Sequence, residues 1–369
     1  MLANPTSSIP PTPDMLVLTP LPINTPVSTI TITPTSQRTS TFKRQCVNIE
    51  QANIPLNKVV SGTILLFTHE NSPDVLFDSR TGIEYKLPTL DDGGMVSPNG
   101  DMYAYIEHRQ HESLTHSTLW VTNAKAEMVS KISLEGWYGP PRWISNIRVI
   151  LSTIEFGTLL VINPFTGEKI LISNELPMLY TLRSGGPWWR VEYSPDLEWA
   201  AYFYVESGGE RGTIVYDVVT KQYLWQSANG DEGQPAWSPD GQEVAVIGEG
   251  ELYLVNRSGS AKTISNEIAT TTQNPSWSPD GRYIAFWNGE GYSGNNHLMV
   301  LDRSTGVVTD YCIENPYPHN PIWSPDSRFV LVNSNLESGA ILVDIHALTA
   351  HKIENIPNST IFGWMNSLP

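Results

Sequence analysis

The sequence predicts an all-β ring, a seven-bladed β-propeller preceded by a disordered Pro/Ser/Thr-rich tail, and three observations carry that prediction. A Ser-Pro-Asp-Gly turn recurs at the spacing of one four-stranded blade. The chain holds 12 Trp among 369 residues but only 16% charged residues, a mix suited to a β-rich interior with much aromatic surface. The last residues resemble the one strand that the first repeat lacks.

Four segments align without gaps: Glu192-Tyr-Ser-Pro-Asp-Leu-Glu-Trp-Ala-Ala-Tyr202, Ala236-Trp-Ser-Pro-Asp-Gly-Gln-Glu-Val-Ala-Val246, Ser276-Trp-Ser-Pro-Asp-Gly-Arg-Tyr-Ile-Ala-Phe286 and Ile322-Trp-Ser-Pro-Asp-Ser-Arg-Phe-Val-Leu-Val332. A fifth, Val96-Ser-Pro-Asn-Gly100, keeps the turn. A sixth, Trp143-Ile-Ser-Asn146, keeps only the Trp and the Asn. Ser97, Ser145, Ser194, Ser238, Ser278 and Ser324 therefore mark one register, with gaps of 48, 49, 44, 40 and 46 residues. A period of roughly 40–50 residues is that of one propeller blade. The turn has a local cause. Pro at its second position and Gly at its fourth are a type I signature, and the Asp can accept hydrogen bonds from nearby amides.

Each unit reads as a short strand ending in Trp, the Ser-Pro-Asp-Gly turn, an alternating strand, a variable loop, an apolar strand ending in Asp or Asn, a Thr-Gly turn, and a more polar fourth strand. Arg80-Thr-Gly82, Phe165-Thr-Gly167 and Ser304-Thr-Gly306 mark the second turn. The first unit has strands at Thr63–Phe67, Asp74–Asp78 and Ile83–Leu87 but none ahead of them. Ile361-Phe-Gly-Trp364 is expected to supply that strand by pairing into blade one, which closes the ring. Counting the composite blade gives seven. Six would follow if the degenerate unit at Trp143 were something else.

The expected domains are a tail over residues 1–45 and a propeller over 60–369. Up to residue 41 only Asp14 and Arg38 are charged, and proline is too frequent for regular structure. Such a segment is an extended spacer or a non-functional extension. No run approaches the roughly 18 apolar residues of a membrane span, and no signal-peptide pattern follows Met1. A net charge of −16 argues against nucleic acid and anionic membranes as partners. Cys46 and Cys312 cannot form a four-cysteine zinc site. A disulfide in an oxidising compartment and two separate buried thiols both remain open.

These repeats closely resemble the Pro-Asp repeats of the TolB-like, WD-repeat-like propellers of bacterial envelope proteins, which also form the propeller portions of prolyl-oligopeptidase-type enzymes. The resemblance spans residues 60–369. It implies the fold and an extracytoplasmic setting, in which a Thr/Pro tail often follows an export signal or a lipid-anchored cysteine; here that signal would lie upstream of Met1. It leaves the function open. Members of the family bind proteins, gate peptidases or act on sugars, and the repeated residues are turn and core positions.

In an antiparallel four-stranded blade both turn types fall on one face, and the loops between second and third strands fall on the other. The variable insertions, His69–Pro73, Glu107–Ser117, Glu206–Gly212, Trp287–Asn296 and Asn333–Gly339, are all of the latter kind, where binding is expected. Residues just before each inner-strand Trp or Tyr should ring the channel mouth on that face: Arg142, Trp188, Arg190, Gln234, Gln273, Asn274, His319 and Asn320. Such a ring suits a peptide, a carboxylate or a sugar, or merely solvates the channel.

His108, His111 and His116 share one insertion and are weak metal candidates. A solvated loop is the plainer reading, and no metal or other cofactor is expected. Asp91-Asp-Gly-Gly94 lacks the further carboxylates of a calcium loop and reads as an inter-blade turn. Gly289-Glu-Gly-Tyr-Ser-Gly294 has the spacing of a dinucleotide motif, but strands flank it where a helix is needed. No GxSxG elbow or hydrolase segment follows the ring.

The expected function is therefore a non-enzymatic, monomeric binding or scaffold propeller with an unidentified protein or peptide partner. A sugar-active enzyme such as a uronate-oligosaccharide lyase, using His319, Arg190 and Gln234, is the enzymatic alternative. A sensor or surface module for a neighbouring gene product is the third.

Overall fold

Short runs of β-branched and aromatic residues, cut by turn residues, give thirty strands and no helix among the described residues. The computed structural model describes residues 41–47, 49–54, 62–68, 74–87, 94–111, 114–152, 158–173, 176, 191–205, 211–227, 234–248, 251–264, 271–289, 296–315, 319–334, 339–353 and 359–366. None of the described segments is a helix long and apolar enough to cross a membrane.

Seven antiparallel four-stranded blades result. Blade 1 is composite. Its inner strand is Ser359–Met365, paired with Thr63–Thr68 so that Trp364 stands opposite Ile64; Val75–Asp78 and Ile83–Lys86 follow outwards. The C-terminal strand thus closes the ring as expected. Blades 2 to 7 begin at the inner strands Gly94–Val96, Arg142–Ser145, Glu192–Tyr193, Ala236–Trp237, Thr271–Trp277 and Ile322–Trp323. The unit at Trp143 is a full blade, running from Arg142–Ser145 to Lys169–Ser173. That removes the six-bladed alternative.

The core is divided into seven clusters, one between each pair of neighbouring blades. Val244 and Val246 face blade 4 with Trp199 and Trp225, while Ala245 between them faces blade 6 with Trp277 and Phe286. A strand buried on both faces reads as a continuous apolar run, which is why Glu243–Gly248 loses polar alternation. Indole groups also stitch the blades together. Trp143, Trp237, Trp277 and Trp323 donate Nε1–H to the main-chain carbonyls of Met95, Glu192, Ala236 and Ser276 in the preceding blade, at 2.9, 3.0, 2.8 and 2.9 Å. The repeated Trp therefore fills the inter-blade core and satisfies its one buried donor.

The turns are closed from inside. In blade 6, Ser278 Oγ donates to Asp280 at 2.6 Å and accepts from the Tyr283 N–H at 2.8 Å, while the Gly281 N–H returns to the Ser278 carbonyl at 2.8 Å. Gly281 sits at φ +70°, a left-handed conformation glycine adopts without strain. In the second turn, Asp302 accepts from Ser304 and Asn163 accepts from Phe165 and Thr166.

Two segments depart from the sequence reading. Up to position 40 the expected tail lies outside the described residues, but the chain is already a strand beyond it. Thr41–Arg44 adds parallel to the outer strand Val307–Asn315 of blade 6, and Ile49–Ile54 adds parallel to the outer strand Thr349–Ile353 of blade 7. Between them Cys46 is bonded to Cys312, so the reading as two separate thiols does not hold. Phe42 and Val47 supply the physical reason, packing against the cores between blades 5 and 6 and blades 6 and 7. The other departure is Glu107–Ser117, which is no loop. Tyr103–His111 and Leu114–Thr122 form a long hairpin, with Glu107 opposite Thr118 and His111 opposite Leu114. Its threonines and alternating apolar residues are strand chemistry that the interspersed charges obscure.

Candidate functional site at the channel mouth

The inner strands surround a central channel with a cavity of about 790 Å³. Arg142, Glu192, Gln234 and Asn320 line it where the inner strands begin; Pro98, Pro195, Pro239, Pro279 and Pro325 line it where the Ser-Pro-Asp turns end them. The two ends therefore differ chemically. One is a ring of turn prolines, and the other gathers polar side chains.

Three consecutive blades meet at the polar end. Glu192 Oε1 accepts from Arg142 Nη1 at 2.5 Å and from Gln234 Nε2 at 2.7 Å. The Glu192 main-chain carbonyl is held as well, by the Trp237 indole. The Arg142 and Glu192 side chains are only 14% and 16% exposed, so salt screens this pair less than a surface pair. The result is an oriented cluster with one carboxylate at its centre.

Of the residues singled out in the sequence, Arg142 and Gln234 are brought together, and Glu192 joins them. Sequence reasoning missed Glu192. Its signal was positional, since it precedes Tyr193 as Ala236 precedes Trp237. Asn320 is exposed and lines the channel. His319 is exposed, and its carbonyl accepts the Trp287 indole N–H at 2.6 Å. Gln273 and Asn274 lie in the inner strand of blade 6, with side chains outside the described residues. Trp188 and Arg190 lie outside them too, as do His69–Pro73, Asp91–Gly93 and the tips of the other long loops. Gly289 ends one strand and Asn296 opens the next, so the glycine-rich stretch has strand flanks.

Of the three histidines, His108 and His116 do not converge. His108 stands opposite Ser117 and Arg109 opposite His116, so His108 and His116 project from opposite faces of the hairpin. His108 Nδ1 is 2.9 Å from Ser117 Oγ, and its ring stacks on Trp137 at 5.2 Å. The side chain of His111 lies outside the described residues.

The opposite face of the ring spends its charges on clasps. Arg257 reaches back one blade to Asp196, and Arg303 reaches back to Glu243. Arg282 bonds Asp302 at 2.9 Å and Arg328 bonds Asp344 at 2.6 Å. Burial pushes the Asp196, Asp302 and Asp344 carboxyls up. The arginine, serine and backbone donors around them outweigh it and hold all three below the usual carboxylate range.

The family model of the TolB beta propeller domain matches residues 179–361. Among solved structures the chain is similar to TolB from Acinetobacter baumannii, at 14% identity and a TM-score of 0.44 over 86% of this chain and 89% of that one. It is similar to the oligogalacturonate lyase from Vibrio parahaemolyticus, at 15% identity and a TM-score of 0.46 over 79% and 86% of the two chains. It is also similar to a dihydro-heme d1 dehydrogenase, at 12% identity and a TM-score of 0.47 over 87% and 77%. These likenesses are of fold. No curated protein matches the chain.

Proposed function

From the premise that this chain belongs to the TolB-like β-propellers, with residues 179–361 carrying the family's domain, we propose that it is a non-enzymatic binding propeller. Its ligand is an extended peptide segment of a partner protein, taken at the channel mouth built by Arg142, Glu192 and Gln234. The observation that carries this reading is the convergence of those three side chains, from three consecutive blades, over a deep channel. A peptide main chain offers alternating donors and acceptors. A carboxylate, a guanidinium and an amide match them in kind. Because three blades fix the cluster, little ordering remains to oppose binding. The Trp and Pro walls behind it suit an apolar side chain. The Cys46–Cys312 disulfide supports an oxidising, extracytoplasmic compartment.

Affinity isolation from a native envelope extract tests the reading, with wild type and Glu192→Ala run in parallel. A partner that wild type retains and the variant holds at least ~tenfold more weakly supports it. Equal retention by the two, or no partner for wild type, overturns it. Turnover of acidic oligosaccharides by the purified chain would replace it with the enzymatic reading.

A further inference from the structure

Closing the ring removes the edge between the first and last blades, but each blade still has an outer strand. These outer strands differ. Those of blades 6 and 7 are covered by Thr41–Arg44 and Ile49–Ile54. The outer strand of blade 1, Ile83–Lys86, carries Glu84 and Lys86; that of blade 5, Ala261–Ile264, carries Lys262; that of blade 4 begins and ends in glutamine. Polar and charged side chains of this kind blunt an open edge. Blade 3 ends in Lys169–Ser173, read Lys-Ile-Leu-Ile-Ser, with no further strand beyond it among the described residues. Ile170 and Ile172 pack against the core between blades 3 and 4. Leu171 alternates to the other side and is 40% exposed, and Phe165 in the turn leading into the strand is 45% exposed. Ser130 Oγ of blade 2 donates to the Pro164 carbonyl, which brings the strand that starts at the exposed Met128 beside the same turn.

We infer that the outer strand of blade 3 pairs with that of a second copy of this chain, antiparallel and about a twofold axis. Three observations point there, none of them involving the channel. The strand is self-complementary. With the axis at Leu171, Leu171 faces Leu171, Ile170 faces Ile172 and Lys169 faces Ser173, so no like charges stand opposite. The local charge also permits it. The chain carries −16, yet residues 123–173 hold Lys125, Lys131, Arg142, Arg148 and Lys169 against Glu127, Glu135, Glu155 and Glu168, a net of +1. Two strongly acidic molecules meet with least repulsion through such a sector. Finally, blades 6 and 7 already accept a fifth strand on this kind of edge, so the addition is compatible with an intact ring. The contact departs from the monomer expected from the sequence, because ring closure leaves this edge without a further strand among the described residues.

Sedimentation velocity on the full chain, over a concentration series at low and high ionic strength, tests the inference. The expected result is a monomer–dimer equilibrium that tightens with salt, since screening weakens the repulsion between the two acidic chains while the contact itself is apolar. Leu171→Lys raises the dimer Kd at least ~tenfold with the melting curve unchanged. Ile83→Lys, at an exposed apolar residue of blade 1, leaves it unchanged. Should Leu171→Lys fold poorly, Phe165→Ser weakens the dimer in the same direction. Three results overturn the inference: a monomer throughout the series, a dimer insensitive to Leu171→Lys and Phe165→Ser, or one weakened equally by Ile83→Lys. A monomer that floats with anionic phospholipid vesicles through Leu171 also overturns it, assigning the patch to a lipid surface.

Discussion

Blade 6 turns through Ser278-Pro-Asp-Gly281, where Ser278 Oγ both donates to Asp280 and accepts from the Tyr283 amide. Blade 3 turns through Ser145-Asn-Ile147, where the Ser145 hydroxyl accepts one long bond, 3.4 Å from the Ile147 N–H. In blade 6 Arg303 lies over the Trp277 ring and clasps Glu243, while blade 3 leaves Ile147 and Phe165 exposed. The contrast extends to the two halves. Among the described residues every large exposed hydrophobic side chain belongs to blades 1 to 4, and none belongs to blades 5 to 7. Yet blades 3 and 6 have the same strand order, the same two-sided burial and the same indole bond to the blade before. The turn motif therefore tunes local stability, while packing between blades sets the architecture.

Substituting the shared stitch should break that view most visibly if it is wrong. Trp277→Ala and Trp143→Ala should each cost about 3–5 kcal/mol of unfolding free energy, read from denaturant midpoints. A much smaller loss at Trp143 would mean that blade 3 is held in another way. Turn chemistry should separate the two blades instead. Ser278→Ala should cost about 1–2 kcal/mol because two bonded groups lose their partner. Ser145→Ala should stay within ~0.5 kcal/mol.

Acid should sharpen the comparison further. The carboxyls of Asp196, Asp240, Asp302 and Asp344 in blades 4 to 7, and that of Asp78 alone in blade 1, are held below the usual range against the upward push of burial. A folded-state value below the unfolded one gives stability that is present above about pH 4 and lost as the pH falls through the lowered values. Tm should accordingly fall in that window. Asp196→Asn should flatten the fall, with an effect under ~1 kcal/mol because the group is partly exposed. One substitution should give a gain. Lys221 is exposed and adopts φ +58° where Gly82, Gly167 and Gly306 stand in other blades. Lys221→Gly should therefore stabilise by ~0.5–1 kcal/mol in thermal unfolding.

The ring and both turn types were legible because each rests on short-range chemistry, and the C-terminal closure because the first repeat lacks the strand that the last residues resemble. A proline, an aspartate and a glycine in a row dictate a turn wherever they occur. The channel-mouth cluster was only half legible. Arg142 and Gln234 could be placed by counting back from the tryptophans, but Glu192 acquires its role from residues 50 and 42 positions away, and no local pattern marks it. The strands at Thr41–Arg44 and Ile49–Ile54 were hidden for a similar reason. Alone they are short and polar, and they become strands by meeting the outer edges of blades 6 and 7. In the hairpin carrying His108 and His116, charged residues on an extended strand read as a loop.

The Cys46–Cys312 bond joins positions 266 apart, which gives the molecule a second closure unlike the first. The C-terminal strand zips blade 1 by hydrogen bonds and can peel away. The disulfide makes residues 46–312 a covalent macrocycle that threads through blades 1 to 6, with blade 7 and the closing strand as its free arm. Unravelling from the C-terminus therefore runs out at the outer strand of blade 6, where the chain is locked to its own beginning. Even fully denatured, the protein is a lariat rather than a line, with fewer conformations to explore than an open chain of the same length.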